Sequence, residues 1–258
     1  METVERCLTD AKMSKEIVDD VVMVGATLSG QGNDKVQELV LVEVTPLSLG
    51  VEYIGEAMEV AVPRNTAIPT KVTIWMTTTK DYQFDMEIKA FEGERARSIA
   101  NICLDSFLLS GIQQAPRGVP DISICFELQA NGILNVSAKD MITFAEESIR
   151  ITRGNSLSSR DEIEKMIEDA KKYEGEDEQY RKKYAARCDF EEYFCQRRDN
   201  INNNTVSFAE IEKAKDAILK AFQWLDNLDA SKKLAEVDEY EEKVKELTDA
   251  KKSTKWIG

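Results

Sequence analysis

Between Leu39 and Asp140 the chain repeats one device: short apolar runs in which side chains alternate, cut at close intervals by turn-forming residues. Val-Thr-Pro at 44–46, Arg-Gly-Val-Pro at 117–120 and Asn131-Gly132 each interrupt such a run. A backbone punctuated this often cannot carry long helices, and it predicts short antiparallel strands joined by tight connections. The plainest instance is Ile122, Ile124, Phe126 and Leu128, then Asn131-Gly132, then Leu134, Val136 and Ala138, which reads as a hairpin with one apolar face. No catalytic constellation accompanies these strands, and they suit a binding surface better than an active site.

After Leu157 the period changes from two to about three and a half. Ser159 and Glu162 fit a capping box ahead of a stripe formed by Ile163, Met166, Ile167, Ala170 and Tyr173. A second stripe holds Tyr180, Tyr184, Cys188 and Cys195, running to about Arg198 before the sequence DNINNNT at 199–205 breaks it. Ser207 and Glu210 repeat the capping signal before Ile211, Ala214, Ile218, Phe222 and Leu225, and Leu234, Val237, Val244 and Leu247 predict one more helix. Antiparallel packing in a small bundle would bury these stripes. Ahead of the strands, residues 1–38 read as a helix pattern, a short strand at Val21–Val24 and a glycine-rich connector.

Composition excludes several functions. The chain has no histidine, which removes His-based triads and His-ligated metals together. Forty-eight acidic against thirty-four basic side chains give a net charge of −14, which disfavours nucleic-acid backbones. Five cysteines without a C-x-x-C pair fit reduced thiols in a cytosolic chain, so no metal site is expected; Cys188 and Cys195 read as helix-packing residues. No run is apolar enough to span a membrane, and the start lacks the basic character of a signal peptide, so a cytoplasmic protein is expected. Gly25 to Gly32 has the glycine spacing of a phosphate loop, but Gln31-Gly32 stands where Lys-Ser/Thr is needed, and no nucleotide cofactor is expected there.

The segments LVLVEVTPLSLG, PRNTAIPTK, FEGERAR, LSGIQQAPRGVP and ANGILNVSAKD, in that order and spacing, closely resemble the substrate-binding half of the 70-kDa heat-shock chaperones. The resemblance runs from about Gly30 to about Lys165 and more loosely through the helical tail. It implies an antiparallel β-sandwich that binds peptides, followed by an α-helical lid bundle, with units at 1–38 (a remnant of the ATPase domain and its connector), 39–155 (the sandwich, opening on the interdomain linker) and 156–258 (the lid). METVERCLTDAKM and DDVVMVG look like a short piece of the late ATPase domain, with nearly all the rest of that domain missing, so no ATP hydrolysis is expected.

Residue by residue, Val51, Met76, Met86 and Ile88 match the family's central apolar pocket. Ile54 and Thr79 match the pair that arches over the peptide, and Tyr53, Thr77 and Gln83 match backbone and rim contacts. Arg117 matches the arginine that latches the lid, its acidic partner unplaced because the helix start carries one extra residue. Leu39, Val40, Leu41 and Val42 resemble the interdomain linker, while on pattern alone they read equally as a first edge strand. The family's Gly-Gly after the first strand reads Gly55-Glu56 here, its Asp-Asn-Gln turn reads Asp81-Tyr82-Gln83, and its valine pocket floor is Met86. The expected partners are unfolded or extended hydrophobic polypeptides, held without an ATP-driven switch. Alternatives are a regulatory protein that competes with or binds full-length chaperones, and a truncated product without a selected role. The ending KKSTKWIG lacks the acidic terminus that recruits tetratricopeptide co-chaperones, which are therefore not expected.

Overall fold

Along Ile122–Leu128 and Leu134–Asp140 every second side chain falls on one face of an extended backbone. In the computed structural model, which describes residues 43–152, 160–203, 208–231 and 233–252, that face is dry. The strands are β1 (Leu49–Tyr53), β2 (Ala57–Val62), β3 (Thr70–Met76), β4 (Asp85–Glu92), β5 (Ile102–Ser110), β6 (Ile122–Leu128), β7 (Leu134–Asp140) and β8 (Glu146–Ile151). They form two four-stranded sheets, ordered β2-β1-β4-β5 and β3-β6-β7-β8, with every neighbouring pair antiparallel. The chain therefore passes between sheets three times, after β2, after β3 and after β5. The crossing after β3 and the β1–β2 connection within the first sheet build the cleft described below.

The sandwich core is almost wholly aliphatic. Val51, Val62, Ile88, Ala90 and Leu109 from the first sheet meet Ile122, Ile124, Phe126, Val136 and Ala138 from the second. Within the predicted hairpin, Ile124 faces Ala138, Phe126 faces Val136 and Leu128 faces Leu134. Its loop is five residues long: the Gln129 N–H donates to the Ile133 carbonyl and the Gly132 N–H to the Gln129 carbonyl, with Gly132 at φ 76°. A residue with a side chain is strained at that angle, which is why glycine stands there.

Four helices follow: α1 (Arg160–Lys172), α2 (Glu174–Asn203), α3 (Phe208–Ser231) and α4 (Val237–Lys252). Phe190, Phe194, Ala221, Leu225, Tyr240 and Leu247 form a second core where α2, α3 and α4 meet. It is aromatic: Phe190 and Trp224 meet edge-on at 5.5 Å, Phe194 and Phe222 at 4.7 Å. Among the described residues, no helix is long and apolar enough to cross a membrane.

Helix ends differ from expectation in three places. Tyr173 falls in the break between α1 and α2 instead of closing the first stripe, and the Arg95 guanidinium stacks 4.4 Å from its ring centre. α2 continues past Arg198 to Asn203 although asparagines are weak helix formers, because buried Phe190, Phe194 and Arg198 anchor it against its neighbours and packing outweighs propensity. Leu234 precedes α4 instead of opening it; the Glu236 N–H is capped by the Glu239 carboxylate at 3.2 Å, and the helix begins at Val237. The proposed capping residues Ser159 and Ser207, and the segments at 1–38 and 39–42, lie outside the described residues.

Candidate functional site

β1 leaves the first sheet at Tyr53 and returns as β2 through Ile54–Glu56, while β3 ends at Met76 and reaches β4 through residues 77–84. These two connections face each other and, with Met86 and Ile88 of β4, enclose a cleft of about 370 Å³. Of the nine residues proposed from the sequence, Tyr53, Ile54, Met76, Thr79, Gln83, Met86 and Ile88 line it. The other two stand behind its wall. Val51 is buried in the sandwich core. Thr77 donates its hydroxyl to the Pro120 carbonyl at 2.7 Å, and its own carbonyl accepts from the Tyr53 hydroxyl at 3.4 Å.

The floor is apolar because alternation along β4 turns Met86, Ile88 and Ala90 inward, against the sandwich core. Glu52, Glu56 and Glu87 border the cleft beside Lys80, and each is paired: Lys89 meets Glu52 at 3.1 Å and Glu87 at 3.6 Å, and Arg97 meets Glu56. Both departures from the resembled family's turn residues fall on left-handed backbone. Glu56 sits at φ 67° and Tyr82 at φ 53°, angles that glycine and asparagine tolerate and that cost other residues on the order of 1 kcal/mol or more. Local bonds hold them there: Arg97 grips the Glu56 carboxylate at 2.6 Å, and the Tyr82 N–H donates to the Ala115 carbonyl at 2.8 Å.

The helices close over this end of the sandwich. Tyr180 of α2 donates its hydroxyl to the Gly55 carbonyl, and the Tyr184 hydroxyl bonds the Glu59 carboxylate at 3.1 Å. Leu234 packs directly on Gly55; a Cβ there would lie 2.6 Å from its Cδ2, and φ 69° would strain most side chains as well. Farther along, Arg95 grips Asp177 with two bonds, at 2.8 and 3.2 Å. Burial beneath these helices pushes the Tyr180 phenol up to about 12 and raises those of Tyr53 and Tyr184 further; the Glu191 charge adds to the rise at Tyr53.

Arg117 is buried, its guanidinium 4.5 Å over the Phe222 ring and bonded to Asp226. Its carbonyl accepts from Arg198 Nη1 at 2.7 Å and, more weakly, from Cys195 Sγ at 3.8 Å. The acidic partners of Arg117 in the helical unit are thus Asp226 and, at 4.0 Å, Asp229, both near the end of α3 and far in sequence from the helix start where the extra residue obscured the match. Asp229 also lines the cleft. Arg187 of α2, wholly buried, joins it to Glu191 with a bond of 2.8 Å to each. Burial raises both carboxyls above their ordinary range, against the pull of Arg187.

Sequence reading missed Asp226, Asp229, Arg187 and Glu191. For two of these a signal was present: Tyr180, Tyr184, Arg187, Glu191, Phe194 and Arg198 recur at intervals of four and three, so Arg187 and Glu191 belong to the inward stripe of α2.

Residues 26–256 match the family model described as Hsp70 protein. The chain is 37% identical to the Heat shock 70 kDa protein of Penicillium citrinum, the match covering 96% of this chain and 56% of that protein. It is 38% identical to the Heat shock 70 kDa protein BIP3 of rice, Oryza sativa subsp. japonica, over 90% of this chain and 35% of the relative. To the Heat shock cognate 70 kDa protein 3 of Dictyostelium discoideum it is 32% identical, over 96% and 45%. The chain spans about half the length of the curated relatives it matches.

Proposed function

The chain belongs to the Hsp70 family, and from that membership we propose that it binds extended hydrophobic segments of unfolded polypeptides in the cleft between the β1–β2 and β3–β4 connections, without help from ATP. One observation carries the reading. Seven residues scattered from position 53 to 88, chosen from the resemblance alone, border one cleft with an apolar floor. An apolar client side chain enters between Met76, Met86 and Ile88, while the main-chain groups of the two connections bond the client backbone whatever its sequence. Ile54 and Thr79 flank it from above. The helices act as a lid: α2 and α3 cover the mouth, and Arg117 ties the sandwich to α3.

Met86 is longer and more adaptable than valine, so the pocket accepts leucine and methionine with little penalty for shape. Exchange is set by simple affinity and by lid opening, since no nucleotide drives it, and the protein acts as a passive holding chaperone in the cytoplasm. Titration of a fluorescent leucine-rich peptide against the purified chain, with and without Mg-ATP, tests this. Saturable binding at about micromolar concentration, unchanged by ATP, is expected. Absence of binding, or faster release with ATP, would contradict the reading.

A further inference from the structure

A second cavity, of about 460 Å³, adjoins the cleft and shares Lys80 and Asp229 with it. Its character is opposite. Apart from Ala230 its lining is charged throughout: Lys80, Asp81, Arg117, Asp226 and Asp229. Most of their polar atoms are already engaged, since Asp81 accepts the Arg117 main-chain N–H at 2.9 Å, Asp226 accepts Arg117 Nη2, and Asp229 Oδ1 accepts Arg187 Nη2 at 2.8 Å.

Three buried atoms among them are not. Nε and Nη1 of Arg117, whose side chain is only 5% exposed, have no hydrogen-bond partner within the protein, and neither has Oδ2 of Asp229. Nη1 faces Asp229 Oδ2 and Nε faces Asp81 Oδ1, each at 4.0 Å, too far for a direct hydrogen bond. Beside Asp229 the site therefore offers one donor and one acceptor side by side. Its complement is a neutral group that accepts and donates at once, and the side chain with that pattern is a carboxamide: its oxygen for Arg117, its amino group for Asp229.

Charged groups fit worse on both counts. A carboxylate would meet Asp81, Asp226 and Asp229, and an ammonium would face Lys80 and leave the Arg117 donors unpaired. An aliphatic side chain would leave Nη1 and Oδ2 buried and unsatisfied. Because the two cavities share a wall, one extended segment can fill both, residues two apart projecting on the same side. We infer that the protein selects clients in which a glutamine or asparagine lies close to the apolar anchor, its carboxamide seated between Arg117 and Asp229. This rests on the cleft being the peptide site.

The test uses the intact chain and a set of seven-residue peptides with one leucine anchor, each other position carrying in turn Gln, Leu, Glu or Lys, competed against a labelled leucine peptide. At one position Gln should bind about fivefold or more tighter than the other three. Asp229→Ala should abolish that preference; because all peptides share any loosening of the helices, the ratio between them is unaffected by it. If the leucine peptide binds but no position favours Gln, or if Asp229→Ala keeps the preference, the carboxamide site is wrong while the cleft stands. If the leucine peptide does not bind at all, the cleft reading fails and this one with it.

Discussion

The sandwich and the helical unit each bury a continuous stripe of side chains, but they do it with different chemistry. The sandwich interior is aliphatic and closes on itself. The helical unit has an aromatic core, and it meets the sandwich through Arg95–Asp177, Arg117–Asp226, Arg97 over the Tyr180 ring and the Tyr180 and Tyr184 hydroxyls. Aliphatic burial is non-directional and its loss is not replaced by solvent, whereas water competes for every hydrogen bond and ion pair when an interface opens. The molecule thus joins a rigid sandwich to a helical unit whose attachment is largely polar and exchangeable, as the proposed lid requires.

The same contrast shows in two carboxylates, Asp140, fully buried, and Asp229, partly buried. Burial alone would raise the pKa of Asp140 in the sandwich, but three main-chain N–H donors, from Gln113, Ile142 and Thr143 at 2.7–2.9 Å, outweigh it and hold it below the ordinary aspartate value. Asp229, shared between Arg187 and the cleft, is raised by burial.

The largest expected difference comes from truncating each region at its most buried point. Phe126, fully buried at the sandwich centre, should cost about 3–5 kcal/mol as Phe126→Ala and lower the denaturation midpoint of the whole chain. Arg187→Met leaves Glu191 and Asp229 without their cation. Both keep some solvent contact, so a loss of about 2 kcal/mol, below the full penalty of a broken buried pair, is expected. It should appear as amide exchange in α2 and α3, with the exchange of β6 and β7 unchanged. Equal loosening of both regions would remove the distinction.

In binding, Met86→Phe should fill the space an apolar client side chain enters and weaken a leucine-rich peptide about tenfold or more, roughly 1.4 kcal/mol, whereas Thr79→Ala trims one flank and should do less. Unchanged affinity in folded Met86→Phe would mean that the client sits elsewhere.

Much of this contrast was legible in the sequence, and the limits have physical causes. The hairpin of Ile122 to Ala138 was readable because period-two alternation is local. The stop of α1 at Lys172 and the run of α2 to Asn203 were not, since tertiary packing decides helix ends. The cleft residues were reachable only through family resemblance; by pattern, Ile54, Met76 and Ile88 look like ordinary core. Asp226 and Asp229 were out of reach, because an acid near the end of a charged helix resembles a solvated face until the packing brings it to Arg117. Two departures, Glu56 and Tyr82, became intelligible as strained positions only with backbone angles in hand.

The smallest effect is in pH. Burial raises Glu191 and Asp229 in the closed arrangement, so if opening the helices hydrates them, closure gains as pH falls through the raised values and loses as pH rises through them. Asp140 has the opposite sign: its contribution is present above the ordinary aspartate value and is lost only as pH falls through its lowered one. Peptide release should therefore slow modestly as pH is lowered from neutrality toward the ordinary carboxylate values, without loss of sandwich stability, measured by dissociation kinetics beside circular dichroism. Faster release over that range would contradict the assignment.

The most direct test of a rigid sandwich beneath a separable cover is the dissociation rate of a labelled leucine-rich peptide, followed by competitor chase, from the intact chain and from a chain ending at residue 174, which retains the sandwich and α1 but not α2–α4. The sandwich buries its own core, so the shortened chain should keep its β-sheet circular dichroism and bind the peptide, releasing it several-fold faster, because a lid hinders escape more than it changes the contacts made. Equal release rates, or loss of the β signal on removing the helices, would contradict the account.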